Sequence, residues 1–394
     1  MTSQRIAARE LLSRFPLVDG HNDLAWELRE AGREDLSTTD LTSPVPFTHT
    51  DLPRIAAGGL GAQFWSVYVP ATLQGDGAVS ATLEQVDLVR RMICRYSGVL
   101  ELALTAADVD RIFAAGKVAS LIGAEGGHSI ASSMGVLRML YRIGVRYLTL
   151  THNANVPWAD SATDEPKAGG LTAFGREVVR EMQRLGMLVD LSHVSPATMR
   201  DALDTAEAPI IFSHSSARAL CDHPRNVPDE ILGRLPANGG VCMVTFVPSF
   251  VAPECRDWED DLSAEMTRRG MEPWDFGLRA GMRQEWAQDH PRPVATLAQV
   301  ASHVEHVREV AGLDHVGIGS DFDGTDQVPE GLADVSCYPA LIAELLGRGW
   351  SEEDCRRLAG GNILRVMREA EAAARAIGEQ RGPSTARIED SGGR

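Results

Sequence analysis

Lysine, long apolar runs and positive charge are all scarce in this chain. Only two of its 38 basic residues are lysines, Lys117 and Lys167, and the formal net charge is −17. A surface this acidic repels nucleic acid and anionic membranes over most of its area. An anionic ligand must therefore bind at a local basic residue. No window holds the roughly 18 uninterrupted apolar residues that a membrane span needs. We therefore expect a soluble protein with no nucleic-acid partner.

The six cysteines stand alone, at positions 94, 221, 242, 255, 337 and 355. Their spacings match neither a zinc ribbon nor a disulfide framework, so we expect reduced thiols. Residues 1–14 carry arginine and glutamate and lack the apolar core of a secretion signal. The sequence also has no Gly-x-Gly-x-x-Gly motif after a predicted strand and no phosphate loop. These absences predict a cytoplasmic location.

The length of 394 residues suits either two domains or one large α/β barrel. Hydrophobic residues make up 44% of the chain and charged residues 24%, which is ordinary for a globular protein with a sizeable core.

Short apolar segments alternate with helical patterns along most of the chain. The predicted strands are residues 15–18, 63–69, 117–123, 146–150, 187–191, 208–212, 240–246 and 315–319. The predicted helices are residues 81–96, 106–115, 136–143, 174–185, a helix begun by Pro196, 296–311, 338–348, 352–359 and 362–377. Eight such strands favour an α/β fold closed into a (β/α)8 TIM barrel, with an open doubly wound sheet as the alternative.

We assign residues 1–380 to a single (β/α)8 domain, with insertions at about 24–60 and 247–295. Both insertions lack the strand and helix alternation of the rest of the chain. Residues 381–394 form a polar tail, which we expect to be frayed from Gly382 onward.

Polar residues with ligand chemistry follow six of the predicted strands. They are His21 and Asp23 after the first strand, Glu125 after the third, His152 after the fourth, His193 after the fifth, His214 after the sixth and Asp321 after the eighth. Each alone is compatible with a cap or a turn. Together they mark the carboxyl rim of the barrel, where barrel enzymes assemble their active sites.

This set of histidines and carboxylates suits Zn²⁺ or Mn²⁺. Two cations need more than four ligands and a carboxylate between them, and Glu125 can present one oxygen to each. The pattern predicts a binuclear metal site at the rim. Two cations can lower the pKa of a bridging water towards neutrality, which gives a hydroxide that attacks an amide carbonyl.

Longer strings in the chain, in order, are DGHNDL, EGGHS, RYLTLTHN, DLSHVSPATM, PIIFSHSSAR, HPRNVPDEI and GSDFDGTDQVPEGL. Over about residues 15–370 they resemble the membrane dipeptidase family (renal dipeptidase, peptidase family M19), a branch of the amidohydrolase superfamily. The resemblance implies a zinc-dependent dipeptidase on a (β/α)8 barrel. It also implies a homodimer and substrates that include L-Xaa-D-Xaa dipeptides.

Matched string by string, the resemblance gives each rim residue a role. It puts His21 and Asp23 on one zinc ion, His193 and His214 on the other, and Glu125 on both.

The resemblance also puts His152 beside the scissile carbonyl and Asp321 in contact with the substrate as the group that handles protons. Arg225, in HPRN, would bind the substrate's C-terminal carboxylate, for which a guanidinium offers two hydrogen bonds. Asp323 competes with Asp321 for the acid–base role, although its place before Gly324 is typical of a turn.

The scarcity of lysine bears on the branch of the superfamily. Many superfamily relatives bridge their metals through a carboxylated lysine at a strand end. Lys117 stands before the apolar run of the third predicted strand and Lys167 lies in a predicted loop, so neither can serve.

Animal members of the family carry a secretion signal and a lipid-anchor signal. We see neither here and expect no membrane anchor.

Two other functions remain compatible with these residues. One is an amidohydrolase that acts on N-acyl amino acids or β-lactams. The other is a metal-binding barrel without catalysis.

Overall fold

The computed structural model describes residues 3–31, 35, 36, 38–271, 273 and 276–391. The predicted insertions and tail also include residues 32–34, 37, 272, 274, 275 and 392–394, which lie outside the described residues. Among the described helices, none has both the length and the apolar content that crossing a bilayer requires.

Among the described residues, nine parallel strands form one sheet. They are β1 (Leu17–Asn22), β2 (Leu60–Ser66), β3 (Leu100–Leu102), β4 (Val118–Glu125), β5 (Val145–Thr149), β6 (Leu188–Asp190), β7 (Ile211–Phe212), β8 (Val241–Val244) and β9 (Val316–Ile318). The order is β2-β1-β9-β8-β7-β6-β5-β4-β3, and β2 also pairs with β4, which closes eight strands into a barrel. The (β/α)8 prediction is confirmed, and the open doubly wound sheet is wrong.

Helices alternate with these strands. In the described part of the chain they are α1 (Ser3–Arg14), α2 (Leu24–Glu30), α3 (Leu52–Gly58), α4 (Asp76–Arg95), α5 (Ala106–Ala114), α6 (Met134–Arg142), α7 (Ala173–Leu185), α8 (Pro196–Thr205), α9 (Asp229–Leu232), α10 (Leu235–Asn238), α11 (Pro248–Val251), α12 (Pro253–Arg268), α13 (Phe276–Asp289), α14 (Leu297–Ala311), α15 (Tyr338–Gly347), α16 (Glu352–Arg356) and α17 (Asn362–Gln380). A π-helical turn, Arg357–Gly361, joins α16 to α17. Thr105 and Thr296 begin their helices as capping boxes.

Buried apolar side chains cover both faces of the sheet, as expected for parallel strands. One cluster joins Val18, Phe64, Tyr147 and Met243 from four different strands. A larger cluster packs other strand residues against the surrounding helices. The barrel strands are therefore packed on both faces.

β1 runs further than the sequence predicts. The strand continues to Asn22, where we expected a turn, and it pairs with β2 at Asp19 and again at Asn22, with an irregularity between them. A Cβ atom at Gly20 would lie 2.3 Å from the carbonyl oxygen of Ser213, so only glycine allows this approach. His21 consequently lies inside the strand rather than after it.

β3 is a strand that the sequence analysis missed. It pairs with the first residues of β4, Val118 to Ser120, while β5 pairs with β4 only from Ile122 onward. β3 therefore extends the sheet outside the barrel closure. Its three residues are too few to give a periodic signal.

Both predicted insertions follow strands at the carboxyl rim. The first contains α2 and α3, and the second contains α11, α12 and α13. In the second, Glu259 receives hydrogen bonds from Arg279, Arg283 and Arg292. Arg292 also forms an ion pair with Asp326 at 2.9 Å, which ties this insertion to the segment after β9.

The tail makes specific contacts in its described residues, up to 391, that the sequence analysis did not predict. The N–H of Ser384 donates to Glu181, and Arg138 donates to the carbonyl oxygen of Ser384. Ala386 and Ile388 pack against the apolar core. These contacts lie far apart in sequence, so local composition does not reveal them.

Candidate metal centre

The seven predicted rim residues lie together at the carboxyl ends of the strands, and all are buried. His21 belongs to β1, Asp23 is the N-cap residue of α2, Glu125 ends β4, and His152, His193, His214 and Asp321 lie in the segments directly after β5, β6, β7 and β9. The common edge of the parallel strands brings them into one group.

Glu125 lies between two groups of histidines. Its Oε2 atom is 3.5 Å from Nε2 of His21 and accepts a hydrogen bond from Ser66 at 3.2 Å. Its Oε1 atom is 2.9 Å from Nε2 of His193 and 3.5 Å from Nε2 of His214. The two oxygens of one carboxylate therefore face different ligand sets.

Asp23 and Asp321 lie on the His21 side of the group. Nε2 of His21 is 3.1 Å from Oδ2 of Asp23 and 3.9 Å from Oδ1 of Asp321. The other oxygen of Asp23 is buried and has no hydrogen-bond partner among the described residues. A buried carboxylate oxygen without a donor is suited to a cation.

Hydrogen bonds orient two of the imidazoles that face Glu125, those of His214 and His21. Ser213 donates to Asp190 at 2.7 Å, and its oxygen lies 2.8 Å from Nδ1 of His214. The Ser213 oxygen therefore accepts the Nδ1 proton, which leaves a lone pair on Nε2 of His214. Nδ1 of His21 lies 2.9 Å from the hydroxyl of Tyr147, a contact that orients this ring.

These atoms form three sets whose members all lie within 4.8 Å of one another. The sets are His21, Glu125 and His214; Glu125, His152 and His193; and His21, Asp23 and Asp321. The nitrogen and oxygen donors suit zinc or another divalent transition metal. His152 lies within reach of one set, 3.8 Å from Glu125, although the sequence analysis gave it to the substrate.

Burial controls the charge of the site. It lowers the pKa of His193 and His214 well below the usual value, so both rings are neutral, as metal ligands must be. Burial, reinforced by Asp23 and Glu125, raises the pKa of Asp321 despite the opposing effect of His21. Its carboxylate is therefore a stronger base than that of an exposed aspartate, as proton transfer requires.

Arg225 is a buried cation that forms no ion pair with a carboxylate of the described residues. The residue is 2% exposed, and its hydrogen bonds go to the carbonyl oxygen of His214 at 3.3 Å and to Ser215 at 3.5 Å. Its Nε atom has no partner among the described residues, and the ring of Phe250 lies 5.2 Å away. Burial lowers its pKa to about 10, so it remains charged at neutral pH. A ligand carboxylate would balance the positive charge of Arg225.

Backbone strain is concentrated at the site. His193, Asp321 and Asp323 have φ values of 67°, 66° and 66°, which non-glycine residues rarely adopt. A Cβ atom at Gly324 would lie 2.4 Å from Oδ2 of Asp23, so the turn after Asp321 needs glycine. The turn expected at Asp323 is present. Its carboxylate is 1% exposed, compared with 12% for Asp321.

The sequence analysis missed the residues that orient this group. Asp19 accepts the N–H of His21 and the N–H of Ser320, and Asp190 accepts the hydroxyl of Ser213. Two acidic residues inside apolar strand segments, each shortly before a histidine, are a signal that could have revealed them. Tyr147 carries no such signal.

Comparison with known proteins covers almost the whole chain. The model of the membrane dipeptidase family, peptidase family M19, matches residues 5–381. Dipeptidase verJ from Clonostachys rogersoniana is 43% identical over 375 residues, which cover 92% of this chain and 86% of that protein.

Two solved structures have the same architecture. The probable dipeptidase PvdM from Pseudomonas aeruginosa has a TM-score of 0.81 and 24% identity, and the match covers 94% of this chain and 99% of that one. A metallopeptidase from Rhodobacter sphaeroides, liganded with a phosphinate mimic of the dipeptide L-Ala-D-Ala, has a TM-score of 0.74 and 25% identity. That match covers 90% of this chain and 99% of the other.

Proposed function

The chain belongs to the membrane dipeptidase family, peptidase family M19, and is a metallodipeptidase; we propose that it uses two zinc ions and that its substrates include L-Xaa-D-Xaa dipeptides. The observation that supports the zinc proposal is that the two carboxylate oxygens of Glu125 face different histidines. Its oxygens lie 3.5 Å from His21 on one side and 2.9 Å from His193 on the other. A carboxylate that bridges two cations requires this arrangement.

His21 and Asp23 would hold one zinc ion, His193 and His214 would hold the other, and Glu125 would bridge them. The donors are imidazole nitrogens and carboxylate oxygens, the set that zinc takes in hydrolytic sites. When bound, the ions supply Lewis-acid activation of water and of the peptide carbonyl.

Three residues of the chain act on the substrate in this proposal. Arg225 binds the C-terminal carboxylate, and His152 donates a hydrogen bond to the carbonyl oxygen as negative charge develops there. Asp321 accepts a proton from the attacking water and passes it to the leaving amine nitrogen. A C–O bond forms, the C–N bond breaks, and the products are a carboxylate and an amine.

The proposed substrate class follows from Arg225 and from one relative. A buried guanidinium next to the ligand group selects short peptides with a free C-terminus, because the carboxylate is one residue from the scissile bond. The Rhodobacter sphaeroides metallopeptidase with the L-Ala-D-Ala mimic supports including a D-residue at the second position.

The test is a release assay with the zinc-loaded protein on L-Ala-L-Ala and L-Ala-D-Ala. We expect free alanine from L-Ala-D-Ala, with activity lost on chelation and restored by zinc. N-acetyl-alanine belongs in the same panel, because it offers the same carboxylate to Arg225. Cleavage of N-acetyl-alanine alone would favour the amidohydrolase alternative, and no cleavage of either dipeptide would contradict the proposal.

The homodimer and the cytoplasmic location stay predictions. Light scattering on the purified protein measures the first, and fractionation of the native cells measures the second.

A further inference from the structure

Two reciprocal hydrogen bonds join Asp323 to His49, which lies in the segment between α2 and α3. The backbone N–H of His49 donates to Oδ1 of Asp323 at 2.5 Å. The backbone N–H of Asp323 donates in turn to Nδ1 of His49 at 3.0 Å. Because Nδ1 accepts, the proton of this neutral ring lies on Nε2. The first insertion is therefore fastened to the turn that follows β9.

That turn determines where Asp321 points. The carboxylate of Asp321 accepts no hydrogen bond from the described residues and lies 3.9 Å from Nε2 of His21. Its direction therefore depends on the backbone, which is left-handed at both Asp321 and Asp323. Such strain persists only where surrounding contacts hold it.

The contacts that hold the turn come from two sides. On the barrel side, the N–H of Asp321 donates to the carbonyl oxygen of His21 at 3.2 Å. On the outer side, the amide of Asp323 has the His49 ring as its acceptor. Without the His49 ring, the backbone N–H of Asp323 would have no hydrogen-bond partner. An unpaired N–H in this buried residue would destabilise the strained turn.

The side chain of His49 can be changed without releasing its backbone. Its carbonyl oxygen accepts the N–H of Val335 at 3.2 Å, and its N–H still reaches Asp323. The imidazole is 24% exposed and lies 5.7 Å from the ring of Phe322, so two substitutes of similar size are needed to hold any loss of packing nearly constant. Effects of substitution should therefore report on the Nδ1 contact.

We propose that His49 is a positioning residue, whose Nδ1 holds the amide of Asp323 and thereby aims the carboxylate of Asp321 at the reacting atoms. The proposal rests on the proposed role of Asp321 in peptide hydrolysis. It gives the first insertion a part in the reaction that is distinct from lining a pocket.

Two substitutions of similar size separate this role from simple packing. His49→Asn places an amide oxygen where Nδ1 lies and keeps the acceptor, whereas His49→Gln has no acceptor there. On L-Ala-D-Ala we expect His49→Gln to lower kcat about 10- to 100-fold with KM changed less than about 3-fold, because small misplacements of a reacting group have effects of this size. We expect His49→Asn to stay within about 3-fold of the unchanged protein. His306→Gln, at a histidine that pairs with Asp229, is the control.

Zinc content and Tm are measured for each variant, and both should match those of the unchanged protein. Equal kcat for the two His49 variants, or a loss confined to KM, overturns the proposal. If the unchanged protein cleaves no dipeptide, the proposed function fails, and a crystal structure of the His49→Gln variant then decides this inference alone. A displaced Asp321 carboxylate supports it, and an unchanged turn overturns it.

Discussion

The Nε2 atoms of His193 and His214 lie 3.0 Å apart. Both also lie within 3.5 Å of Oε1 of Glu125, which is itself buried. Burial lowers the pKa of both rings well below the usual value, so neither is protonated at neutral pH. Two neutral imidazole nitrogens and a carboxylate oxygen this close together are the ligand arrangement that the proposed zinc ion requires.

His193→Ala should therefore release one zinc ion and leave the other. The variant lacks one ligand of the zinc ion assigned to His193 and His214, while His21 and Asp23 can still bind the other ion. We expect the zinc content, measured by atomic emission after gel filtration, to fall from about two ions per chain to about one. His306→Ala is the matched control and should keep both ions. Two ions in His193→Ala would contradict the assignment.

Arg225→Ala should remove the preference for a free C-terminus. A charge-assisted pair of this kind is worth several kcal/mol, so we expect kcat/KM on L-Ala-D-Ala to fall about 100-fold, mainly through KM. The C-terminal amide of the same dipeptide should react equally slowly with both proteins. Arg200→Ala, at an exposed arginine that pairs with Glu230, controls for the loss of charge. A dipeptide KM unchanged in Arg225→Ala would exclude the proposed contact.

Asp321→Asn should stop proton transfer while leaving the histidine ligands in place. General acid–base groups contribute about 10²- to 10⁴-fold, so we expect a fall in kcat of that order. Asp323→Asn is the matched control, because its amide oxygen can still accept the N–H of His49. Its kcat should change less than about 3-fold. If Asp323→Asn were the more damaging variant, the two aspartates would exchange roles.

His303 should make the protein less stable in acid. Its Nδ1 accepts the N–H of Ala217 and its Nε2–H donates to the carbonyl oxygen of Val251, so only the neutral ring fits. Burial lowers its pKa from 6.5 to about 4. The unfolded chain binds the proton first, so this contribution is complete above about pH 6.5 and is lost as the pH falls to about 4. The loss is on the order of 3 kcal/mol in the free energy of unfolding.

Urea unfolding of His303→Gln at pH 7 and pH 4.5 measures this effect. The variant is less stable at pH 7 but should lose less stability between the two values than the unchanged protein does. An identical pH dependence in His303→Gln would show that His303 does not carry it.

The candidate site could be predicted from sequence because parallel strands share an edge. His152 and His193 each follow an apolar segment, and the rule that barrel strands end at one rim brings them together without any knowledge of distances. The family resemblance then supplied Arg225, which composition alone would assign to the surface. Its burial comes from Phe250 and from the segment around Ser215, which are not its neighbours in sequence.

Features set by distant contacts could not be predicted. β1 continues past Asp19 because its partners Leu60–Ser66 and Ile318 come from other parts of the chain. Ser384 is held by Arg138 and Glu181, which no local pattern links to it. Such contacts between distant residues are visible only in the folded structure.

The closure of the barrel between β1 and β9 also sets an order of events during synthesis. Asp19 accepts the N–H of Ser320, which lies 301 positions further along the chain. Glu125, His193 and His214 have all left the ribosome long before Ser320 is translated. Until β9 is made, the edge of β1 that pairs with β9 has no partner. Unpaired edges invite association with other chains. A nascent chain that stops before β9 would therefore carry all five proposed metal ligands but lack Asp321, and the unpaired edge of β1 would make it prone to aggregate.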